Sequence, residues 1–426
     1  MATVHQVAER QLCTGCGVCA YLAPDDIRMA DVLDHGRRPL PVVPTATGGE
    51  GAAAAVRCCP GVGVAHPSGR PGPGEIGQLR RMWGPVRRLW EGYAADPEIR
   101  FAGSSGGVTT ALAAFCVERL GMAGALHIGA RADVPYLNEA RFSRSRAELL
   151  AAAGSRYAPA SPCERLDLIE QADSPAVFIG KPCDVAATRM AAQVRPRLAE
   201  RLGLTIAFFC AGTPSTKGTL EMLAQLEVPP VEATAVRYRG LGWPGRARAS
   251  RVGDPPGTDR SMSYEQSWGE ILQRHRQWRC HLCADHTGEL ADVAVGDPWY
   301  RPTGDDPGQS LVLARTERGQ QVIEAAIRAG VLMLTPATPD ILTASQPNLA
   351  RSRGSVWGRV WTLRATGQAA PRFRHLPMAG AWWRELTLAE KLRSTLGTLR
   401  RLVRRRLWRP VPLPEYQPPA RAGQEV

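Results

Sequence analysis

The sequence has no long hydrophobic run. Its longest apolar stretches, such as LTIAFFCAG at 204–212, fall far short of the roughly 20 residues that a membrane-spanning helix needs. It also opens without the basic start and apolar run of a secretory signal. We therefore expect a cytoplasmic globular protein. In that compartment the eleven cysteines would stay reduced and serve as metal or cluster ligands rather than as a disulfide framework.

Acidic residues are scarce at the end of the chain. Residues 351–426 hold sixteen Lys and Arg against four Asp and Glu, so they carry +12 of the net charge of +13. In this tail, apolar residues recur at helical spacing on one side and arginines crowd the opposite side, which predicts a basic amphipathic helix. Such a helix could lie on an anionic membrane surface, dock a protein partner, or pack on the body through its leucines. Nucleic-acid binding is unlikely on this evidence, because no such motif accompanies the arginines. This apolar stripe consists of Leu388, Leu392, Leu396, Leu399, Val403 and Leu407.

Between about residues 100 and 350, strand-like runs alternate with helix-like runs. A Gly/Ser loop, GSSGG at 103–107, precedes a helix pattern, and buried strands are predicted at 175–180 and 204–210. This alternation predicts an α/β core with a largely parallel or mixed sheet. A Pro/Gly-rich linker at 67–75 precedes it. We expect a cysteine-rich segment at 1–75, a catalytic core at 76–350 and a helical basic tail at 351–426.

The strongest local motif is a run of cysteines with two-residue spacers: Cys13, Cys16 and Cys19. One loop of this kind delivers three thiolates to a 4Fe–4S cube, and a bacterial ferredoxin run would continue with a Cys-Pro. In this chain the position of that fourth cysteine is occupied by Ala23, followed by Pro24, but a separate Cys-Pro occurs at Cys59. We assign Cys59 as the fourth ligand in preference to Cys58, which no proline follows. Residues 1–75 are thus predicted to be a ferredoxin-like iron–sulfur segment, with zinc as the alternative.

A second close pair, Cys280 and Cys283, lies late in the core. The pair needs two more ligands to hold a cluster, and Cys183 and Cys210 lie at the ends of two buried strands. Since the carboxyl ends of strands line the ligand crevice of open α/β sheets, we expect these two to complete the set. The residues alone leave independent thiols as an equal alternative. The two thiols interpreted as core residues are Cys116 and Cys163.

An ordered series of motifs between about residues 10 and 335 resembles the coenzyme F420 hydrogenase/dehydrogenase beta subunit family. That family includes proteins like 7-hydroxymethyl chlorophyll reductase and ferredoxin-dependent vinyl reductase. The resemblance implies a non-Rossmann α/β flavoprotein core, at 76–350, with FAD beside a 4Fe–4S cluster held by Cys183, Cys210, Cys280 and Cys283. The motifs read CTGCGVC, GSSGGVTTAL, GSRYAPASP, FIGKPCDVAATR, FFCAGTPS, GWPG and RCHLCADHTGELADVAVGD.

The resemblance implies a flavin site, for which the residues offer a physical basis. GSSGG ahead of a helix presents backbone N–H groups and a positive dipole end to a phosphate, although an ordinary glycine-rich turn has the same composition. Arg156 supplies a cation where the family often has Lys. Lys181 is a candidate for stabilising a reduced flavin anion, or is a solvated loop lysine. The predicted flavin-binding residues are Ser104, Ser105, Gly106, Gly107, Thr109, Ser155, Arg156 and Tyr157.

These cofactors imply an oxidoreductase, since clusters pass single electrons and flavin can release a pair as hydride. We expect electrons to move between a carrier, ferredoxin or coenzyme F420, and an organic substrate through two 4Fe–4S clusters and FAD. His281 and His286 are candidate proton donors, although such histidines more often only pack or hydrogen-bond. His127 is expected to be structural. The alternatives are a non-catalytic electron-transfer subunit, a reductase associated with glycan biosynthesis and a structural zinc protein.

Overall fold

The computed structural model describes residues 1–42, 49–255, 257–301 and 307–416, without the Ala350 side chain. In these ranges no helix is both long and apolar enough to cross a membrane. The strands are β1 (Ile27–Val32), β2 (Gly36–Pro41), β3 (Gly63–Ala65), β4 (Arg88–Ala94), β5 (Ala125–Ala130), β6 (Asn138–Ser143), β7 (Ala176–Gly180), β8 (Leu202–Phe208), β9 (Ala233–Arg237), β10 (Ala247–Arg251), β11 (Arg260–Met262), β12 (Val293–Gly296), β13 (Ser310–Ala314), β14 (Leu332–Pro336) and β15 (Arg372–Arg374).

Helices separate most of these strands, as the alternating pattern predicts. The α-helices are α1 (Val4–Glu9), α2 (Val18–Leu22), α3 (Glu50–Arg57), α4 (Arg80–Trp83), α5 (Pro97–Ala102), α6 (Val108–Glu118), α7 (Arg146–Ala151), α8 (Asp167–Glu170), α9 (Pro182–Val194), α10 (Pro196–Arg201), α11 (Thr216–Gln225), α12 (Glu317–Arg328), α13 (Asp340–Ser345), α14 (Pro347–Ala365), α15 (Met378–Glu385) and α16 (Leu388–Arg404). The α/β class and the helical C-terminus are confirmed.

The centre of the fold is a mixed eight-stranded sheet with the strand order β14-β4-β13-β12-β8-β7-β5-β6. Its middle strands β12, β8, β7 and β5 are parallel, whereas the outer pairings are antiparallel. Gly180 pairs with Ala207, and Val295 pairs with Phe208. The three strands β7, β8 and β12 therefore end at one edge of the sheet, which is where ligand crevices form in open α/β sheets.

Both faces of the central strands are buried. Val177 and Ile179 of β7 pack in a core that includes residues of α6 and α12, whereas Phe178 packs in a second core with the N-terminal cysteine segment. Strands covered on both faces carry continuous apolar runs rather than alternating ones. This explains why AVFIG and LGLTIAF read as buried strands in the sequence.

The N-terminal segment packs against the core through its cysteine loop. Gly15 and Gly17 have φ angles of +75° and +89°, so the loop uses the left-handed backbone that glycine adopts at low cost. A Cβ at Gly17 would lie 2.8 Å from the Glu164 amide nitrogen. The Cys163 amide also donates to the Cys16 carbonyl oxygen at 2.9 Å. The turn that carries Cys16 is thus fastened to the core.

The C-terminal segment is joined to the body at both of its ends. Its strand β15 pairs in parallel with β3, and the Val411 amide donates to the Glu9 carbonyl oxygen at 2.9 Å. Arg353 of α14 forms a buried ion pair with Glu289 of the core. The segment is therefore a packed part of the structure.

The predicted stripe of α16 does not face the body, whereas Leu402 of the same helix is half-buried and packs against the core. Ser394 and Thr398 are the buried residues of this helix, and of the predicted stripe only Leu407, just past the helix, is buried. The interpretation in which the leucines pack on the body is wrong for the other five residues. Periodicity predicted the stripe but carried no information on which side would contact the protein.

The Glu289–Arg353 pair predicts a large stability effect. Their side chains are 2% and 4% exposed, so Glu289→Gln leaves a buried cation without its anion and should lower the free energy of unfolding by about 3–5 kcal/mol. The matched control is Glu227→Gln, since Glu227 is 84% exposed beside Arg260, and it should cost less than about 1 kcal/mol. Urea unfolding measures both. Equal small losses would contradict a docked C-terminal segment.

Candidate functional site

The four cysteines predicted for the first cluster are buried together. Burial, with smaller effects from Cys13 and Cys16, raises the pKa of Cys59 to about 12. The pKa of Cys19 is also raised by burial and then by the other three thiols. The Gly15 amide donates to Cys13 Sγ at 3.3 Å. The structure thus gathers Cys13, Cys16, Cys19 and Cys59.

Two further thiols border this set. Cys58 Sγ donates to the Met190 carbonyl oxygen at 3.4 Å, and the preference for Cys59 over Cys58 as the fourth ligand stays a prediction. Cys163 lies beside Cys16 and lowers the pKa of that thiol, although sequence reasoning treated Cys163 as an ordinary core residue. Its thiol also lies 3.4 Å from the Asp184 carbonyl oxygen. The first set therefore has two further buried thiols at its edge.

The second predicted set lines one small cavity, which we call the thiol cavity. Cys183 lies in the first turn of α9, Cys210 follows β8, and Cys280 belongs to the 3-10 helix Trp278–Leu282. Backbone hydrogen bonds join these loops, since the Cys210 amide donates to the His286 carbonyl oxygen at 2.9 Å. The Thr213 amide donates to Cys280 Sγ at 3.3 Å. The cysteines that line the thiol cavity are Cys13, Cys183, Cys210, Cys280 and Cys283.

Burial raises the pKa of three thiols of the second set, Cys183, Cys210 and Cys283, and so favours their protonated form. Burial and the neighbouring thiols raise the pKa of Cys210 to about 12, and burial raises that of Cys283 to about 12 as well. Metal binding to such thiols would release protons. Across the described ranges no group of three or more His, Cys, Asp and Glu side chains is arranged to hold a metal ion. Cluster ligation by either set therefore stays a prediction.

Two buried arginines lie between the cysteine sets. Arg38 donates to Gln277 Oε1 at 2.9 Å and interacts electrostatically with both Cys13 and Cys280. Arg279 donates to the Pro60 carbonyl oxygen at 2.9 Å. The Nε atom of each guanidinium is buried without a hydrogen-bond partner. Because a buried cation is costly unless an anion balances it, this pair fits an anionic group such as a thiolate-ligated cluster.

A larger cavity of about 270 Å³ lies next to the thiol cavity. Cys210, Gly212 and Thr213 line both, so the two spaces share a wall. Gly106 is not among the lining residues, because its amide donates to Ser310 Oγ at 2.9 Å. The structure brings together, along the larger cavity, the predicted residues Ser104, Ser105, Gly107, Thr109, Ser155, Arg156, Tyr157 and Lys181.

The cation at Arg156 is already engaged. Its Nη1 donates to the Val236 carbonyl oxygen at 2.9 Å and its Nη2 to that of Pro135 at 2.6 Å, while Nε donates to Asn138 Oδ1. Burial lowers the pKa of Arg156. The guanidinium therefore ties three chain segments together and forms part of the cavity wall, and its role toward a ligand stays a prediction.

Lys181 is a buried, paired lysine rather than a solvated one. Its side chain is 12% exposed, and Nζ lies 2.6 Å from Oδ2 of Asp184, which is 1% exposed. Burial opposes the ammonium charge, but Asp184 and Cys183 outweigh it and raise the pKa of Lys181. A permanent positive charge therefore stands at the large cavity, at the start of α9.

The candidate histidines are held in neutral form. Burial lowers the pKa of His286 to about 4, and its Nδ1 lies 2.8 Å from the Cys210 carbonyl oxygen. A carbonyl only accepts, so Nδ1 carries the proton and Nε2 is the acceptor. Burial and nearby arginines lower the pKa of His281 to about 2, and His281 lines neither cavity. His127 bonds Ser143 Oγ at 2.8 Å through Nε2.

Sequence reasoning missed a charged and aromatic wall of the large cavity. Arg239, 2% exposed, pairs with Asp297 at 2.8 Å, and its guanidinium lies 4.9 Å from the Tyr264 ring centroid and 5.2 Å from that of Trp299. All four line the cavity. Asp297 directly follows β12, so the strand-end argument that found Cys210 would also have reached it. Tyr264 comes from a distant loop and has no comparable local signal.

Comparison with known families identifies the class of protein. Residues 89–166 match the N-terminal domain of the coenzyme F420 hydrogenase/dehydrogenase beta subunit. Residues 174–340 match the C-terminal domain of the same family. Together these ranges contain most of the large cavity and the whole second cysteine set. The chain belongs to the coenzyme F420 hydrogenase/dehydrogenase beta subunit family, which supports a redox role.

Individual relatives carry the same name, coenzyme F420 hydrogenase subunit beta. The protein from Methanosarcina barkeri is 24% identical over 256 residues, or 57% of this chain and 79% of the relative. That from Methanococcus voltae is 40% identical over 58 residues, which is 14% of this chain and 19% of the relative. A chain of the F420-reducing [NiFe] hydrogenase complex from Methanosarcina barkeri aligns with a TM-score of 0.51 and 20% identity, covering 67% of this chain and 95% of that one. The last match shows a shared fold.

Lysine replacement tests whether Lys181 is built into the site. Lys181→Met leaves the buried Asp184 carboxylate without its cation, with the backbone amide of residue 181 still donating to it, and should lower the free energy of unfolding by about 3–5 kcal/mol. Lys217→Met is the control, because Lys217 and its partner Asp34 are 56% and 53% exposed, and it should cost less than about 1 kcal/mol. Guanidinium unfolding compares them. Equal effects would return Lys181 to the solvated-loop interpretation.

Proposed function

We propose that the chain is an iron–sulfur flavoprotein oxidoreductase that moves electrons between a carrier and an organic substrate. One 4Fe–4S cluster would be held by Cys13, Cys16, Cys19 and Cys59, and a second by Cys183, Cys210, Cys280 and Cys283, with FAD in the large cavity. Clusters exchange single electrons, and flavin converts them to a hydride pair.

The observation that carries the proposal is the contact between the sites. Cys13, from the first set, lines the thiol cavity together with the second set. Cys210, Gly212 and Thr213 then form a wall shared with the large cavity. Three candidate cofactor sites are thus adjacent, which is what electron transfer within one chain needs. Separate structural zinc sites would not need this adjacency.

The large cavity offers suitable groups for a dinucleotide. The GSSGG loop leads into α6, whose N-terminus presents backbone N–H groups and a positive dipole end. The Ser155 amide donates to Ser104 Oγ at 2.6 Å, so the two predicted flavin-binding segments support each other. Lys181 adds a fixed positive charge where a reduced flavin would become anionic. Tyr264 and Trp299, which stack on each other with ring centroids 5.0 Å apart, add an aromatic part to the wall of this cavity.

Carrier and partner follow from the relatives. Their name refers to coenzyme F420, which favours the deazaflavin as carrier, with ferredoxin as the alternative. They are named as subunits, and the matched structure is a chain of a complex, which supports an electron-transfer subunit as the second candidate function.

We place the protein in the cytoplasm because its free cysteines suit a reducing compartment. Oxidation of reduced F420 by the isolated chain with a viologen dye favours the enzyme, and activity only with a partner favours the subunit.

Cofactor counting tests the proposal directly. Anaerobically purified protein should be brown and contain about eight irons and about eight sulfides per chain, as two 4Fe–4S clusters require, together with one extractable FAD. Cys59→Ala should lose about half of the iron, whereas its neighbour variant Cys58→Ala should keep it. Thr109→Phe should lower flavin without lowering iron, and Thr338→Phe, outside the cavity, should lower neither.

One result would reject this function, and another would change the assignment of one ligand. Colourless protein with tightly bound zinc would establish the structural zinc alternative. Iron loss in Cys58→Ala, with full iron in Cys59→Ala, would reverse the assignment of the fourth ligand. Unfolding midpoints measured on the same preparations separate a lost ligand from a lost fold.

A further inference from the structure

The helix α16 contacts the body through its small polar side chains. Ser394 and Thr398 are its buried residues, and Trp382 Nε1 donates to Ser394 Oγ at 3.0 Å. A Cβ at Gly358 of α14 would collide with Ser394, so a glycine allows the two helices to approach. A surface helix usually turns its apolar face to the core. Here the fully buried residues of the helix are polar, and Leu402 adds a half-buried apolar contact to the core.

The opposite face of α16 is an exposed apolar stripe. Because an α-helix turns about 100° per residue, the five residues of the stripe fall within an arc of about 80°. Within the part of the chain that the structure describes, each of the five keeps more than about a third of its surface exposed. Their exposed fractions are 73% for Leu388, 50% for Leu392, 58% for Leu396, 38% for Leu399 and 65% for Val403.

A row of arginines borders the apolar stripe. Arg393, Arg400 and Arg404 occupy the arc next to it by the same helical geometry, and all three are exposed. The ion pair that this helix does form uses Glu390, with Arg351 of α14. A surface that covers the leucines would therefore also meet this positive charge. Residues 351–426 as a whole hold +12 of the net charge of +13.

Exposed tryptophans stand near both ends of the helix. Trp383 precedes it and is 62% exposed, and Trp408 follows it and is 39% exposed. Tryptophan is enriched at membrane–water interfaces, where its ring sits at the headgroup level. An apolar stripe, a flanking basic row and terminal tryptophans are together the features of a helix that lies in the plane of a membrane surface.

We propose that α16 binds the surface of an anionic lipid bilayer, with its leucine stripe in the acyl boundary and its arginines at the headgroups. A second copy of the chain fits the same face less well. A twofold contact would bring the stripe and the basic rows of both copies together, and like charges would repel. Acidic headgroups complement the basic row, and the proposal does not depend on the redox function.

Vesicle co-sedimentation of the full-length protein tests the proposal. Wild-type chain should bind vesicles of phosphatidylcholine mixed with phosphatidylserine, and should bind phosphatidylcholine alone far more weakly. Arg400→Gln with Arg404→Gln should weaken binding by about 25-fold, since each surface arginine contributes about fivefold. Leu392→Glu with Leu396→Glu should weaken it by about tenfold or more. Added salt should weaken wild-type binding too.

Matched controls use exposed residues elsewhere. Val231→Glu with Val252→Glu replaces two exposed valines, and Arg246→Gln with Arg328→Gln removes two exposed arginines; both should bind like the wild type. Equal binding to neutral and acidic vesicles, or α16 variants that bind as well as the wild type, would overturn the proposal. So would a wild-type dimer in gel filtration that the leucine variant dissolves, because a second copy would then cover the stripe.

Discussion

The proposed site depends on one property of the sheet, which is that β7, β8 and β12 are parallel and end at the same edge. Their carboxyl ends bring Lys181, Cys210 and Asp297 to one region, although more than a hundred residues separate the first from the last. Burial on both faces holds these strands between hydrophobic cores. The thiol cavity and the large cavity can share a wall only while this edge stays aligned.

Charge is the second constraint. The cysteine sets lie beside two buried guanidinium groups, and the large cavity lies beside Lys181 and Arg239, each paired with a carboxylate. The paired cations can persist without a ligand. Arg38 and Arg279 keep buried, unpartnered Nε atoms, which is costly in an apolar interior. Negative charge on the cysteine sets would restore the balance. Because burial raises the pKa of Cys59, Cys210 and Cys283 to about 12, the free thiols stay neutral, and a bound anionic group would have to supply that charge.

Much of this arrangement was readable from the sequence where the signal was local. The cysteine spacing, the Cys-Pro at Cys59, the buried strands and the GSSGG loop each lie within a few residues. Arg38 was not readable, because its neighbour Gln277 is 239 positions away and no pattern links a hairpin strand to a late turn. The sequence also did not show which face of α16 would be turned toward the protein. Periodicity defines an apolar face, whereas packing through Ser394 decides that this face is turned outward.

The central claim is that both cysteine sets hold clusters close enough to interact. Electron paramagnetic resonance of the fully reduced, anaerobic protein tests it most directly. The account predicts a spectrum broadened by spin–spin interaction between two reduced clusters, which becomes a single narrow cluster signal in Cys59→Ala. Two independent signals in the wild type, or a wild-type spectrum that Cys59→Ala leaves unchanged, would contradict the arrangement around Arg38.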